Sequence, residues 1–288
     1  MREIVDCLGN LPSYYRTATL VVGLVVFWIA EGVVPLFPMQ YGRYRHATVN
    51  VLLTFFQLVV SVFFAVVTLK VSAFTTTNSF GLLYLIELPL WLHVVLGVML
   101  LDMIGGYCIH RTEHSIRWMW EFHVIHHSDE NIDVTSGLRH HPIETVFRLS
   151  SQLLAILLCG IPLGVVFLYG LISIFFAQLT HANISSPVAL DRLLSLIFVT
   201  PNMHKVHHHR SKPLTNTNYG NVLSIWDRMF GTFAQVEMDA LSYGLDSMPL
   251  SDDHLKLSRL LVIPFQRRQN SVASGPVPNS SSEVPAEK

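Results

Sequence analysis

The sequence predicts an all-α integral membrane protein of about four transmembrane helices with a cytosolic, histidine-rich helical cap. Three observations predict it. The composition is 51% hydrophobic and 14% charged, with a mean hydropathy of +0.43, outside the range of soluble domains. The apolar residues gather in runs long enough to cross a bilayer core of about 30 Å. Twelve of the fifteen histidines fall between His110 and His209, in the polar stretches beside those runs.

Residues 1–16 form a polar lead, with Tyr14 and Tyr15 where interfacial aromatics belong. Residues 17–109 read as spans one to three. Thr17 to Phe37 is the first, with Glu31 making its end polar. Thr48 to Leu69 carries no charge, and Leu82 to Ile109 is interrupted by Glu87, Pro89, His93 and Asp102. Arg43 and Arg45 put their loop, and with it the histidines, on the cytoplasmic side; the cation-poor turn near Thr75 and the amino terminus then lie outside. Residues 110–265 hold the histidine boxes. Within them Glu144 to Thr180 is apolar for two passes, a transmembrane hairpin bent at the CGIPLG of Cys159 to Gly164. Val188 to Val199 is too short to span and suits an interfacial helix. Lys205, Arg210, Lys212 and Arg228 fit a cytoplasmic face, and residues 266–288 have the composition of a disordered tail.

A net charge of -1 with no basic domain excludes nucleic acid as a partner. Cys7, Cys108 and Cys159 are too scattered for a CxxC pair or a disulfide framework and read as free thiols. No cleavable signal peptide is expected, because the first apolar run starts late, follows acidic as well as basic residues and is long enough to span. No internal repeat suggests a solenoid.

The stretch HRTEHSIRWMWEFHVIHH, His110 to His127, is half of a candidate metal site. His110 and His114 are four apart and share a helical face; His123, His126 and His127 form an HxxHH box, repeated at His204, His207 and His208. His140, His141 and His181 lie between. All of them fall at one membrane face, and around ten imidazoles exceed the needs of one four-coordinate ion, so two metals are the economical reading. No Glu is followed three residues later by His, so the carboxylate-bridged pattern of soluble di-iron bundles is missing. No cysteine joins the clusters, which removes iron–sulfur and haem-thiolate chemistry. Imidazole alone does not choose among iron, zinc, copper and nickel. HRTEH also matches the HxxEH of a zinc-peptidase class, but one zinc would leave both HxxHH boxes unused.

The order HxxxH, HxxHH, HxxHH on a multi-span chain, with FHVIHHSDENIDVTSGLRHHPIE, TPNMHKVHHHR and NYGNVLSIWDRMFGTF around it, resembles the fatty acid hydroxylase and sterol desaturase superfamily from about Asp102 to Phe233. The resemblance implies a non-haem centre of two Fe ions, with zinc a possible substitute in purified protein, that uses dioxygen to hydroxylate or desaturate a lipid C–H bond. It assigns metal binding to His110, His114, His123, His126, His127, His204, His207 and His208, with His141 and His181 completing the set. His140 and His209 stand as extras. Breaking an unactivated C–H bond exceeds what protein acids and bases supply, so the cofactor carries the chemistry. Asp102 and Glu113 are candidates to accept a ligand's remaining ring N–H. No flavin or haem domain is appended, so electrons come from an external donor, cytochrome b5-like, ferredoxin or equivalent.

Blander readings apply elsewhere. His46, His93 and His254 read as interfacial or hydrogen-bonded residues; Trp118, Trp120 and Trp226 as interface anchors or packing; and NYGN and WDRMFG as turn and packing devices. The rival functions are a membrane zinc hydrolase using Glu113 and a non-catalytic metal- or lipid-binding protein. The substrate lipid, and whether the host membrane is a bacterial inner membrane or endoplasmic reticulum, are left open.

Overall fold

The computed structural model describes residue 12, residues 14–245, residue 248 and residues 255–273, with backbone alone for residues 16 and 267–273. Among them the chain is all-helical, with isolated β-bridges as its only strand-like pairing. Among the described residues four helices are long and apolar enough to cross a membrane, over Arg43–Tyr84, Leu90–Ser115, Pro142–Cys159 and Leu163–His181. The protein is an all-α membrane protein, as its composition predicts.

Helix α1, Tyr14–Val33, contributes a shorter apolar stretch, Thr17–Val33. The predicted first span stops early because Val34 and Pro35 leave the helix and Pro35 bridges to Ile184. Glu31, near its end, is fully buried: its Oε1 accepts from the backbone N–H of Val134 and of Asn183, at 2.6 and 2.8 Å, and its Oε2 pairs with Arg43. A carboxylate in an apolar run thus ties α1 to the cap.

Helix α2, Arg43–Thr77, is 35 residues. That is about 52 Å at 1.5 Å per residue, against a hydrocarbon core of about 30 Å. Its far part shows Phe55, Val59, Val62 and Phe63 to the outside. Its first turns rise past the lipid and enter the cap, where His46 bonds Asp129 and Asp133 and Asn50 bonds Thr135 and Arg139. His46 is therefore the hydrogen-bonded histidine expected.

The predicted third span is broken. Leu82–Tyr84 form one short turn, and helix α3, Leu90–Asp102, starts only after Pro89, which supplies no N–H. It runs through a π-helical turn, Met103–Cys108, into α4, Ile109–Ser115. At Ile116 (φ -95°, ψ 112°) the chain turns into α5, Arg117–His127, which departs from the spans. Helices α6, Pro142–Cys159, and α7, Leu163–His181, form the predicted hairpin. Gly160 closes α6 at φ 73°, and a Cβ there would lie 2.4 Å from the Phe80 carbonyl oxygen, so the bend requires glycine. Helix α8, Val188–Leu194, exposes Val188, Leu190 and Leu193, as an interfacial helix does. Helices α9, Pro201–His207, α10, Ile225–Met229, and α11, Leu257–Ala273, complete the cap. The backbone of α11 continues past Gln266, where the sequence predicts a tail; residues 274–288, Cys7, His254 and most of the polar lead lie outside the described residues.

The core between spans is built by Leu101 of α3, Ala155 and Ile156 of α6, and Val165, Val166 and Tyr169 of α7. A second cluster, Leu53, Val124, Ile125 and Leu260, packs α5 and α11 against the raised end of α2. Histidine-bearing ends of α4 and α7 and the start of α6 all emerge on that side.

Candidate metal centre

The two HxxHH boxes occupy short cap helices. On α5 the i, i+4 residues His123 and His127 share a face, while His126, three along, points to a neighbouring group. On α9 and the residue after it, His204 and His208 are the i, i+4 pair and His207 crosses over. Among the described residues two all-histidine sets result, His110, His114, His123, His127 and His207 in one and His126, His181, His204 and His208 in the other, ligand atoms within 4.8 Å in each, and a smaller group joins His123 to His140 and Glu144. The sets adjoin, since the His127 and His208 rings stack at 4.7 Å.

Both sets fit a metal ion. Nε2 of His127 lies 3.1 Å from Nε2 of His123, and in the other set the corresponding separations are His126–His181 3.2, His181–His204 3.0 and His204–His208 3.2 Å. Imidazoles bound at about 2.0–2.1 Å stand about 2.9 Å apart at right angles and about 3.3 Å apart in a tetrahedron. The Nε2 atoms of His110, His114 and His207 are buried with no protein partner.

The opposite nitrogens are fixed where the ring faces protein. Nδ1 of His110 donates to the Tyr219 carbonyl at 2.9 Å, Nδ1 of His207 to the Thr217 carbonyl at 2.7 Å, and Nδ1 of His181 to the Ala177 carbonyl at 2.7 Å. Nδ1 of His123 donates to Glu144 Oε1 at 2.8 Å. Such bonds set the tautomer and leave Nε2 as the ligand. Burial works the same way: it holds the His123 imidazole down at about 4 and that of His207 at about 3, and keeps His126, His127, His204 and His208 well below the ordinary range. Neutral imidazole is the form that binds metal.

The carbonyls of Thr217 and Tyr219 sit on the NYGN loop, which is built as the turn and packing device expected. Asn218 adopts φ 54° and its side chain bonds Met203 O, Ala234 O and Ala234 N. Asp227 accepts from the N–H of Tyr219 and Gly220, at 2.7 and 2.8 Å. The loop holds two acceptors against His110 and His207.

Four expectations change. His141 joins neither set: Pro142 fixes the start of α6 and makes His141 its N-cap, so Nδ1 accepts from Ile143 N–H at 3.2 Å and Nε2 donates to the Leu261 carbonyl at 3.3 Å. His140, read as an extra, instead stacks on His126 with centroids 4.2 Å apart and donates to Glu144 at 2.8 Å. Asp102 touches no histidine. It accepts from Val222 N–H, Leu223 N–H, Trp226 Nε1 and Tyr169 OH at 2.9–3.2 Å, so it anchors the loop instead. Glu113 stays 3.8 Å from His123, and its Oε2 is taken by Arg148 at 2.7 Å. His209 remains an extra: its Nδ1 accepts from Ser242 N–H.

Glu144 and Arg148 are the functional residues the sequence reading missed. Glu144 Oε1 accepts from His123, His140 and Arg148 Nε. The available signal was an acidic residue opening an apolar helix, with an arginine four after it on the same face and a histidine four before it, just ahead of the helix.

Residues 94–232 match the fatty acid hydroxylase family. The chain is similar to the ornithine lipid hydroxylase of Rhizobium tropici, 37% identical over 145 residues, covering 50% of this chain and 43% of that protein. It is also similar to the alkylglycerol monooxygenase of Homo sapiens, 29% identical over 249 residues, 83% of this chain and 52% of that one. A cholesterol 25-hydroxylase-like protein of Danio rerio is 31% identical over 144 residues, 49% of this chain and 50% of its own length. The chain spans about half the length of these curated relatives or less. No solved structure matches.

Proposed function

We propose, since this chain belongs to the fatty acid hydroxylase and sterol desaturase superfamily, that it is a membrane-bound non-haem di-iron oxygenase that hydroxylates a C–H bond of a lipid. The observation that carries this reading is the pair of adjoining all-histidine sets, each drawing on both HxxHH boxes. His110, His114, His123, His127 and His207 would hold one iron, and His126, His181, His204 and His208 the other. When bound, the metals supply dioxygen activation and hydrogen removal from carbon. The reaction balances when one oxygen atom enters the C–H bond and the other leaves as water, which takes two electrons and two protons from outside. No redox cofactor site is needed in this chain if a separate one-electron carrier docks on the cap.

The protein's own part is orientation and dryness. Carbonyls of the NYGN loop and the Glu144 carboxylate fix ring planes, and the spans bring lipid to the foot of the cap. A cytoplasmic cap is supported by Arg43, Arg45, Arg111, Arg117, Arg210 and Lys212 near the histidine end, against Arg16 and Lys70 toward the other and none in the turns at residues 78–89 and 160–162.

Elemental analysis of the protein purified in mild detergent tests the reading. About two irons per chain, with dioxygen- and reductant-dependent conversion of a lipid, are expected. One zinc and no iron, unchanged when iron is supplied during expression, would overturn it.

A further inference from the structure

Beside the metal centre lies a cavity of about 200 Å³ between the π turn of α3, α6 and α7. Its wall includes Gly105, Gly106, Arg148, Gln152, Ser173 and Asn221. Resting on the oxygenase reading for what the cavity is used for, we propose that it seats the polar head of the lipid substrate and selects an uncharged, oxygen-bearing head.

Place is the first argument. Gly106 lies four residues before His110 on one continuous helix, and Arg148 reaches from the cavity wall to Glu113 and Glu144, the latter holding His123 at 2.8 Å. A head in this cavity is one guanidinium and one carboxylate away from a ligand imidazole. The volume takes a head of several heavy atoms and excludes a whole lipid.

Chemistry is the second. Among the described residues the Gln152 amide has no protein hydrogen-bond partner, although Gln152 lies well inside α6 at membrane depth. That amide is part-exposed to the cavity, where it offers a ligand both a donor and an acceptor. Asn221 donates to Ser173 Oγ at 2.9 Å and Tyr169 OH at 3.2 Å, which commits its nitrogen and leaves its oxygen for the cavity. Hydroxyl, ether and amide groups match this lining.

Charge is the third. Among the described residues the one cation at the wall, Arg148, is already bonded to two buried carboxylates, Glu113 at 2.7 Å and Glu144 at 3.0 Å. A phosphate or carboxylate head would meet those acids with no free cation to answer it, inside a span where an unpaired charge is costly. The glycines make the room. A Cβ at Gly105 would sit 3.4 Å from the Gln152 Cα, so a longer side chain there runs along the wall the head must occupy.

The test uses the full chain in phosphatidylcholine nanodiscs and two photoprobes with the same acyl chain and a diazirine next to the head: a monoglyceride and the matching lysophosphatidate. The monoglyceride should label peptides from α6 and α7, be displaced by excess unlabelled monoglyceride, and exceed the lysophosphatidate by about tenfold or more, given the cost of a buried charge. Gln152→Leu should cut that labelling by about tenfold, one lost amide pairing, and Gly105→Leu should abolish it, both with wild-type iron content. Equal labelling by the two probes, or undiminished labelling of Gln152→Leu, overturns the proposal. Should Gly105→Leu fail to fold, Gln152→Leu, which removes only an amide, decides. Labelling as expected in a protein without iron or turnover would sink the oxygenase reading and leave the cavity standing; iron and turnover with labelling elsewhere would do the reverse.

Discussion

Glu144→Gln isolates the charge that orients His123. Glu144 Oε1 receives His123 Nδ1 at 2.8 Å, His140 Nδ1 at 2.8 Å and Arg148 Nε at 3.0 Å, in full burial. Glutamine keeps the volume and one acceptor but turns a charge-assisted bond into a neutral one, about half as strong. The loss at His123 is then about 1–1.5 kcal/mol, or about tenfold in metal affinity, at the lower end of the usual 10–100-fold effect of such partners. The assay is chelator competition on iron-loaded protein, with iron counted after each step. Half-stripping should occur at about tenfold lower chelator in Glu144→Gln. Glu113→Gln is the internal comparison, because Glu113 is 3.8 Å from His123 and serves only Arg148; its shift should stay below about threefold. Iron held by Glu144→Gln as firmly as by wild type, or lost faster from Glu113→Gln, would refute the assignment of the orienting role.

Asp102→Ala removes the acceptor of four hydrogen bonds and should cost about 2–4 kcal/mol, seen as a lower Tm, with iron falling toward half because the loosened loop serves the five-histidine set. His141→Ala should keep full iron and lose only about 1 kcal/mol as a missing N-cap, read by thermal unfolding; loss of iron would return His141 to the ligands. His207→Ala should lose iron and oxygen-dependent turnover together, and full activity would refute its place in the set. Chelating the metals from wild type should lower Tm by about 5 °C or more, since clustered, desolvated imidazoles lose the ion that binds only the folded state.

The spans and the boxes were legible because each is a local pattern. Apolar length marks a crossing, and i, i+4 spacing marks a shared face. The misreadings came from residues whose roles are set by distant partners. Asp102 sits in a span, where an ionisable group reads as part of the chemistry. Its acceptors are in fact filled from the loop 120 residues later, which spacing within its own helix does not show. Glu113 and Glu144 are both near histidines in sequence. Only the packing of α6 against α4 and α5 decides that Glu144 meets His123 while Arg148 takes Glu113.

The adjacent pair His140 and His141 shows the same limit at its sharpest. Two neighbouring residues at the mouth of an apolar helix are equal candidates by type and position, yet a single feature separates them. Pro142 sets where the helix begins, and the residue before it becomes the cap, with its ring turned back on the helix's own N–H. His140 is then the one left to face α5, where it stacks on His126. The partition of the HxxHH boxes shows equally local geometry: the first and last histidines, i and i+4, stay together, and the middle one falls in the other set. Two such boxes facing each other exchange their middle residues. That reciprocity sets the two groups side by side, which supports the proposed two-metal site alongside the number of imidazoles.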